Sequence, residues 1–467
     1  MPPIDWQPWH TAPFLDAQRR RRPILLLLET AWAPACDHVH AAVFSRTDVQ
    51  QAVAETSVAV RVDADLRPDI ADRYGLGHWP SVLFLTPEGH VLTGGTRVGH
   101  AFAQRIRDVA EAFRAGDRRW CRELAGAAAA MEPHASAALD DALALASLAA
   151  AVWEARDAHG AFVHEGLPSA QAASFALMHG LATDDGAWLD AAATTLDALA
   201  DLPFPTDAAG AVARVTGVPG ARLEERADWV AVHARMLRVD RRRAWREQLE
   251  VLVGQLRGFR RHDGSFRPWT SSPPGLVLAD ATARACRALL AAADVLERPE
   301  LAREAIDAIE ALAPRAYGRA AGVAHVLRDG HARGPALLDD AMVLAHALLD
   351  ADGWRADSAY ADLADELART SAARLQDGSG ALLDRVATLA GAGRVGRLGE
   401  PHYPIVGNAE AARLLVRLRG DDPAAVSDAR RLLRAVTPRA CDAGVFAAPV
   451  ALAWHAVGPA DSVAAAW

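Results

Sequence analysis

Ile24-Leu25-Leu26-Leu27-Leu28 runs shortly into Trp32-Ala33-Pro34-Ala35-Cys36, and reading these two stretches together decides the first fold assignment. Five consecutive apolar residues are too few to span a membrane and read as a strand buried on both faces. Pro34 fits the first turn of a helix, where the missing N–H costs nothing. The pattern continues outward. Arg19-Arg20-Arg21-Arg22 just upstream reads as a solvated helix end rather than a phosphate patch. Downstream, Val39 to Ala54 carries Val39, Val43, Val49 and Val53 broadly at helical spacing. Val58 to Asp63 reads as a strand, Pro68 to Tyr74 as a short helix and Ser81 to Leu85 as a strand. A turn at Pro87-Glu88-Gly89 leads to a fourth strand from His90 to Thr93, and Phe102 to Phe113 closes as a helix. This β-α-β-α-β-β-α order predicts a small α/β domain over residues 1–116.

Strand signals then stop. Residues 117–137, with Gly126 to Ala130 at their centre, read as a connecting segment. Residues 138–467 hold twelve helical stretches, at approximately 138–158, 168–182, 186–202, 226–240, 241–260, 278–297, 298–313, 335–352, 355–377, 405–419, 422–437 and 446–458. Their connections alternate long and short. The long ones repeat a glycine followed closely by an apolar residue, at Gly160, Gly220, Gly264, Gly322, Gly380 and Gly444. Six copies imply six helical hairpins, and hairpins arranged in a ring make an (α/α)6 toroid. Its long loops gather on one face, which becomes the expected ligand mouth. The expected fold class is therefore multidomain, α/β followed by all-α.

Composition excludes several chemistries. All 50 basic residues are arginine, because the chain has no lysine. Schiff-base enzymes, P-loop nucleotide hydrolases and Ser-Lys catalysts need an amine that can lose its proton, and arginine does not supply one. The net charge of −9 argues against nucleic acid as a partner. Neither a leader sequence nor a membrane span is read, so the expected location is cytoplasmic. Cys36, Cys121, Cys286 and Cys441 lie far apart, which argues against a disulfide framework or a zinc site. No metal and no cofactor is expected.

Trp32-Ala33-Pro34-Ala35-Cys36 resembles the W-C-x-x-C of thioredoxins, and His78-Trp79-Pro80-Ser81 resembles the loop whose cis proline lies against it. The thioredoxin-like site is thus Trp32, Cys36 and Pro80. Dithiol exchange needs a low-pKa nucleophile and a resolving thiol. Ala33 stands at the nucleophile position, so the two-cysteine cycle is excluded; Cys36 matches the second, buried cysteine. A single reactive thiol at Cys36 near His38 or His40 is the alternative.

The whole chain resembles the family in which a thioredoxin-like domain is fused to an (α/α)6 barrel, which includes the spermatogenesis-associated thioredoxin-domain proteins and their bacterial relatives. Cys36 to Phe44, Val60 to Asp69 and Trp79 to Gly89 carry the resemblance in the first domain. Pro335 to Ala341, Gly407-Asn408-Ala409 and Trp229 to His233 carry it in the second. The resemblance implies a six-hairpin glycosidase-like barrel akin to those of sugar epimerases and isomerases. Departures accompany it: one of two vicinal cysteines is lost, the positions after His233 differ, and the family's lysines are gone.

The loop face nominates the candidate site. His233, Asp339, Asp340 and His402 are the expected catalytic residues. Trp229, Trp269, Arg226, His325, Tyr403 and Asn408 are the expected substrate-binding residues, since a sugar site wants aromatic faces and groups that bond hydroxyls. His233 with His325 or His402 would exchange a proton in epimerisation or isomerisation. Asp339 with Glu224 or Asp384 would flank a glycosidic bond. Each residue also has a structural role open to it: helix capping for the aspartates, packing for the tryptophans and fastening of a glycine turn for Asn408. The leading expectation is a redox-inactive thioredoxin-like unit joined to a degenerate carbohydrate-type pocket or scaffold. A small carbohydrate-like ligand and a protein partner on the first domain are the expected partners.

Overall fold

Leu25 and Leu27 point into one apolar cluster and Ile24, Leu26 and Leu28 into another. This two-sided burial makes β1 (Ile24–Glu29) the centre of the first unit. The computed structural model describes residues 3–96, 98–116, 140–164, 166–200, 222–355, 358–386 and 395–458. The sheet order is β2 (Val58–Asp63), β1, β3 (Ser81–Leu85), β4 (Val91–Gly95), with β1 parallel to β2 and antiparallel to β3. Packed around it are α1 (Thr11–Arg20), α2 (Pro34–Val39), α3 (Thr47–Thr56), α4 (Pro68–Tyr74) and α5 (Phe102–Arg114). The helix expected over Val39 to Ala54 is two helices. The chain passes from α2 through a wide π turn at His40–Phe44, and α3 starts afresh after it. Arg19 and Arg20 occupy the exposed last turn of α1, as a solvated helix end should.

This unit also takes in residues 386–402, from a stretch the sequence reading placed wholly in the toroid. Leu398 enters the cluster of Ile24, Leu26 and Leu28. The Tyr74 hydroxyl donates to Gly89 O (2.7 Å) and accepts from Arg397 N (2.9 Å), while Arg73 Nε donates to Arg397 O (2.9 Å). No periodic pattern announces such a segment, because its polar backbone is satisfied by side chains of another element. The expected connecting segment 117–137, with Cys121, lies outside the described residues.

The second unit contains the twelve expected helices: α6 (Asp141–Glu154), α7 (Ala170–Thr183), α8 (Gly186–Ala200), α9 (Leu223–Val239), α10 (Arg243–Arg257), α11 (Ala279–Leu296), α12 (Pro299–Ala316), α13 (Leu338–Arg355), α14 (Ser358–Leu375), α15 (Ile405–Arg419), α16 (Pro423–Cys441) and α17 (Ala448–Val457). Helices α7, α9, α11, α13, α15 and α17 each pack on the next, and α17 packs back on α7. The other six form an outer layer, so the unit is a closed (α/α)6 toroid. Inner helices are buried on nearly every side, and alanine supplies much of that surface; α11 alone buries Ala279, Ala281, Ala283, Ala285, Ala288, Ala292 and Ala293. Small side chains bring neighbouring helices close enough to complete a ring of six.

Short connections run from inner to outer helices and long ones from outer to inner. The repeated glycines sit in the long ones. Gly160, Gly264 and Gly380 have φ of +91°, +83° and +93° and each follows an aspartate (Asp157, Asp263, Asp377) that accepts a backbone N–H two residues on. Isolated antiparallel bridges tie Arg156 to Phe162, Arg260 to Phe266 and Gln376 to Leu382 in the same register about those glycines. Positive φ is the physical reason for glycine here. Gly322 (+92°) and Gly444 (+57°) share it, and Gly220 lies outside the described residues. The sequence reading did not anticipate the small sheets among these loops: β5 (Val163–His164) with β6 (Leu167–Pro168), and β7 (Leu276–Leu278), β8 (Tyr317–Gly318) and β10 (His331–Ala336) around β9 (Gly322–Arg328).

Two segments singled out in the sequence interlock here. A side chain on Gly407 would collide with the Asp339 carboxylate. Beside it Asn408, fully buried, accepts from Leu382 N (2.7 Å) and donates to Leu382 O (2.9 Å) and Pro404 O (2.8 Å). The single asparagine is thus the fastener of the Gly380 turn, not a ligand-facing group. Asn408→Ala leaves the Leu382 amide unpaired in the interior and should destabilise the protein by roughly 1–3 kcal/mol, read from chemical denaturation.

Candidate functional site

In the first unit, Ala33 immediately precedes α2 and Cys36 lies inside it, buried. The Trp79–Pro80 bond is cis, as the resemblance implies. The thiol of Cys36 is pushed up to about 11, first by burial and further by the Glu29 carboxylate. The alternative of a thiol activated by His38 or His40 meets a geometric obstacle. His40 Nε2 lies 2.6 Å from Glu29 Oε2, and Arg61 pairs with the same carboxylate. The acid across the sheet from Glu29, Asp63, is raised to about 7 by burial and by Asp65. This end of the sheet therefore gathers acidic groups, which disfavour a thiolate.

The toroid encloses a cavity of about 540 Å³ to which all six inner helices contribute. Alanines form much of its wall, with Trp354, Val406 and Leu452. Set into that wall are Asp228 and Arg235 of α9, Arg284 and Arg287 of α11, Asp350 of α13, and Glu410 and Arg413 of α15. Arg287 Nε and Arg417 Nη2 each donate to Asp350 at 2.7 Å. Burial opposes ionisation of Asp350, but these two guanidinium groups outweigh it and hold the carboxyl below its usual range. Glu410 is held low in the same way, against burial, by Arg413, His346 and Arg287.

Arg417 Nη1 lies 2.9 Å from His346 Nδ1. An arginine only donates, so Nδ1 accepts and the proton sits on Nε2, which donates to Glu410 O at 3.0 Å. His346 is thereby fixed as one neutral tautomer.

Most of the residues nominated from the sequence lie elsewhere. His233 is in the helical interior; its Nδ1 donates to Trp229 O at 2.8 Å. Trp229 and Trp269 are buried rather than presented as stacking faces, and Arg226 is fully buried. Tyr403 donates to Asp377 Oδ2 (2.6 Å) and so braces one repeated turn. His402 belongs to the first unit, 3.9 Å from Asp72 Oδ2. His233 thus belongs to the second unit and His402 to the first. Asp339 packs against Gly407, as above.

Asp340 and His325 do come together, and Asp280 joins them. His325 Nδ1 lies 3.0 Å from Asp340 Oδ1 and 3.6 Å from Asp280 Oδ1. Among the described residues these three form a group whose donor atoms lie within 4.8 Å of one another, close enough to hold a metal ion. The expectation of no metal took no account of this cluster, because its members come from α11, β9 and α13. The same atoms are engaged with each other: Asp280 N donates to Asp340 Oδ1 at 3.1 Å, so the cluster also pins the β9 hairpin to two inner helices.

The cavity residues Arg235, Arg284, Arg287, Asp350, Glu410 and Arg413 were missed. Their signal was present as lone charges on alanine-rich helices, Arg284 and Arg287 at i,i+3 and Glu410, Arg413 and Arg417 at i,i+3,i+7. Such spacing ordinarily marks a solvated face. In a ring, the solvated face of an inner helix is the hole.

Residues 1–132 match the family described as Thioredox_DsbH, a protein of unknown function (DUF255). Over 102 residues the chain is 33% identical to the uncharacterized protein B0495.5 of Caenorhabditis elegans and 29% identical to the human spermatogenesis-associated protein 20. Each match covers 20% of this chain, and 14% and 13% of the relatives' own length. Among solved structures, a D-mannose isomerase aligns with a TM-score of 0.51 at 14% identity, covering 64% of this chain and 87% of that one. An inactive variant of the α-1,6-mannanase of Salegentibacter, in complex with α-1,6-mannotriose, aligns at 0.50 and 12% identity, covering 67% and 100%. These likenesses establish the toroid as a fold, not its chemistry. The family match thus covers the first 132 residues, and the solved structures show the (α/α)6 fold of the second unit. No helix among the described residues is long and apolar enough to cross a membrane.

Four histidines of the toroid are held below their ordinary range, in each case first by burial: His179, His233, His346 and His455. The unfolded chain binds their protons first, near the ordinary 6.5, whereas folded His455 waits until about 4. Their contribution to stability is complete above pH 6.5 and is lost as pH falls toward 4. The melting temperature should therefore decline across that window, and His455→Phe should flatten the decline.

Proposed function

We propose that the chain is a small-molecule-binding protein with a carbohydrate-type pocket in its toroid, joined to a thioredoxin-like unit that performs no dithiol exchange. The observation carrying the first part is the central cavity. Its size falls within the range of small-ligand sites, and it combines apolar wall with converging hydrogen-bonding groups. Asp228 and Glu410 are acceptors for hydroxyls, Gln171 offers both kinds of bond, and the alanine surface suits the C–H faces of a sugar. The fold of the mannose isomerase and the mannanase agrees with such a pocket.

A second reading is a sugar-processing enzyme. Its support is the pair Asp339-Asp340 at the start of an inner helix. The mannanase variant made inactive carries asparagine in place of two adjacent aspartates. Here, however, Asp340 is sealed against His325, and its carboxyl is raised first by burial. Binding is therefore the reading we favour over turnover.

The second part rests on Ala33 and on the raised thiol of Cys36. A single buried thiol in acidic company is inert to exchange at neutral pH, which also argues against a one-cysteine thiol function. Two measurements test the proposal. Saturating a panel of mono- and disaccharides should raise the melting temperature of the full chain, and Ala231→Trp, which fills the cavity wall, should erase that rise while leaving the apo melting temperature near its original value. Mass spectrometry after iodoacetamide treatment of native protein should find Cys36 unmodified, with alkylation appearing only on denaturation; rapid native labelling would refute the inert thiol.

A further inference from the structure

We propose that the toroid cavity selects a ligand that is both hydroxylated and anionic, a sugar acid or sugar phosphate, whose charged group is held by Arg235 and Arg284. The inference rests on the cavity being a ligand site and adds the class of ligand.

The argument starts from pairing. Buried cations are ordinarily matched by carboxylates, because an unmatched charge in the interior is costly. Most cavity arginines obey this rule. Arg287 is matched by Asp350, and Arg413 Nη1 donates to Glu410 Oε1 at 2.9 Å. Arg235 does not. Its Nη1 donates to the Ser174 hydroxyl at 2.8 Å, and no described carboxylate lies within ion-pair distance of it. Burial and then the like charges of Arg413 and Arg287 push its pKa down to about 10, which leaves it protonated at neutral pH. Asp228 and Glu410 oppose this only from beyond ion-pair distance, so Arg235 has no directly paired carboxylate among the described residues.

Arg284 stands in an intermediate position. Its nearest carboxylate is Asp228, at 3.9 Å, beyond hydrogen-bond length. Asp228 Oδ2 instead accepts from Gln171 Nε2 at 3.3 Å. Both arginines line the same cavity. A guanidinium group presents five donors in a planar fork suited to carboxylate and phosphate oxygens.

The acidic residues set the rest of the specificity. Glu410 lines the cavity with its Oε2 3.1 Å from His346 Nε2, and Asp228 lies on the same wall. Two carboxylates beside the arginines repel a bare polyanion but accept hydroxyl protons from a ligand that carries both functions. A cavity of about 540 Å³ has room for such a molecule.

Isothermal titration of the full chain with glucuronate, glucose 6-phosphate, glucose and inorganic phosphate tests this. Glucuronate or glucose 6-phosphate should bind at least about ten-fold tighter than glucose, with affinity falling as NaCl rises, and whichever binds tighter identifies carboxylate or phosphate as the preferred group. Arg235→Gln should abolish the preference while leaving helicity unchanged by circular dichroism, and Arg284→Gln provides an independent variant should the first misfold. Glucose binding as tightly as both charged sugars would overturn the anionic class but leave the carbohydrate pocket standing. Phosphate binding as tightly as glucose 6-phosphate would overturn the requirement for hydroxyls. Failure of all four probes would remove the inference and the pocket reading together.

Discussion

The toroid depends on one contact, the seating of the last inner helix on the first. Helix α17 meets α7 where His179 Nδ1 lies 2.9 Å from His455 Nε2, and Phe175 stacks on His179 with ring centroids 5.1 Å apart. Before this contact forms, six helical hairpins are an open array with two raw ends. Afterwards each inner helix has two inner neighbours and the array has an inside. One of the two histidines must donate to the other, so the contact requires at least one of them uncharged. Burial lowers both pKa values and so favours the neutral forms the contact needs.

Closing a ring creates the problem that the cavity groups answer. A hole bounded by six apolar helices would be an empty apolar void, and voids cost packing energy. Charged side chains in the wall admit water or ligand and convert the void into a site. Their mutual pairing sets what is left over. Asp350 absorbs Arg287 and Arg417, Glu410 absorbs Arg413, and His346 is locked between the two systems in one tautomer. Arg235 remains with a serine hydroxyl. The electrostatic character of the centre follows from this residue of unmatched charge more than from any net total.

Much of the fold was legible in the sequence because it repeats. Twelve helices follow from apolar periodicity, and their arrangement in hairpins follows from glycines whose positive φ excludes other residues. Asn408 was marked by its uniqueness, and the structure gives it the fastening role. The site was far less legible. His233, Trp229 and Trp269 have the residue types of a sugar site, yet helix phase turns the first two into the interior and Trp269 is buried in the connection between α10 and α11. His402 sits in sequence between toroid elements but in space within the other unit. The arginines that line the cavity looked like surface, since period alone does not distinguish a face turned to bulk solvent from one turned to an enclosed hole. The Asp280–His325–Asp340 group needed three elements far apart in the chain.

The segment carrying Arg397 and Leu398 has a consequence for the order of events in the cell. Most of the first unit is made before the toroid, but one piece of its apolar core is encoded about three hundred residues later. At translation rates of roughly 5–20 residues per second, the nascent unit waits on the order of tens of seconds with Tyr74 and the Ile24–Leu28 surface incompletely covered. Most of the toroid helices emerge during that interval. Most of this unit is thus made before the toroid but finished only after most of it, and its completion reports that the ribosome has passed the fourteenth helix.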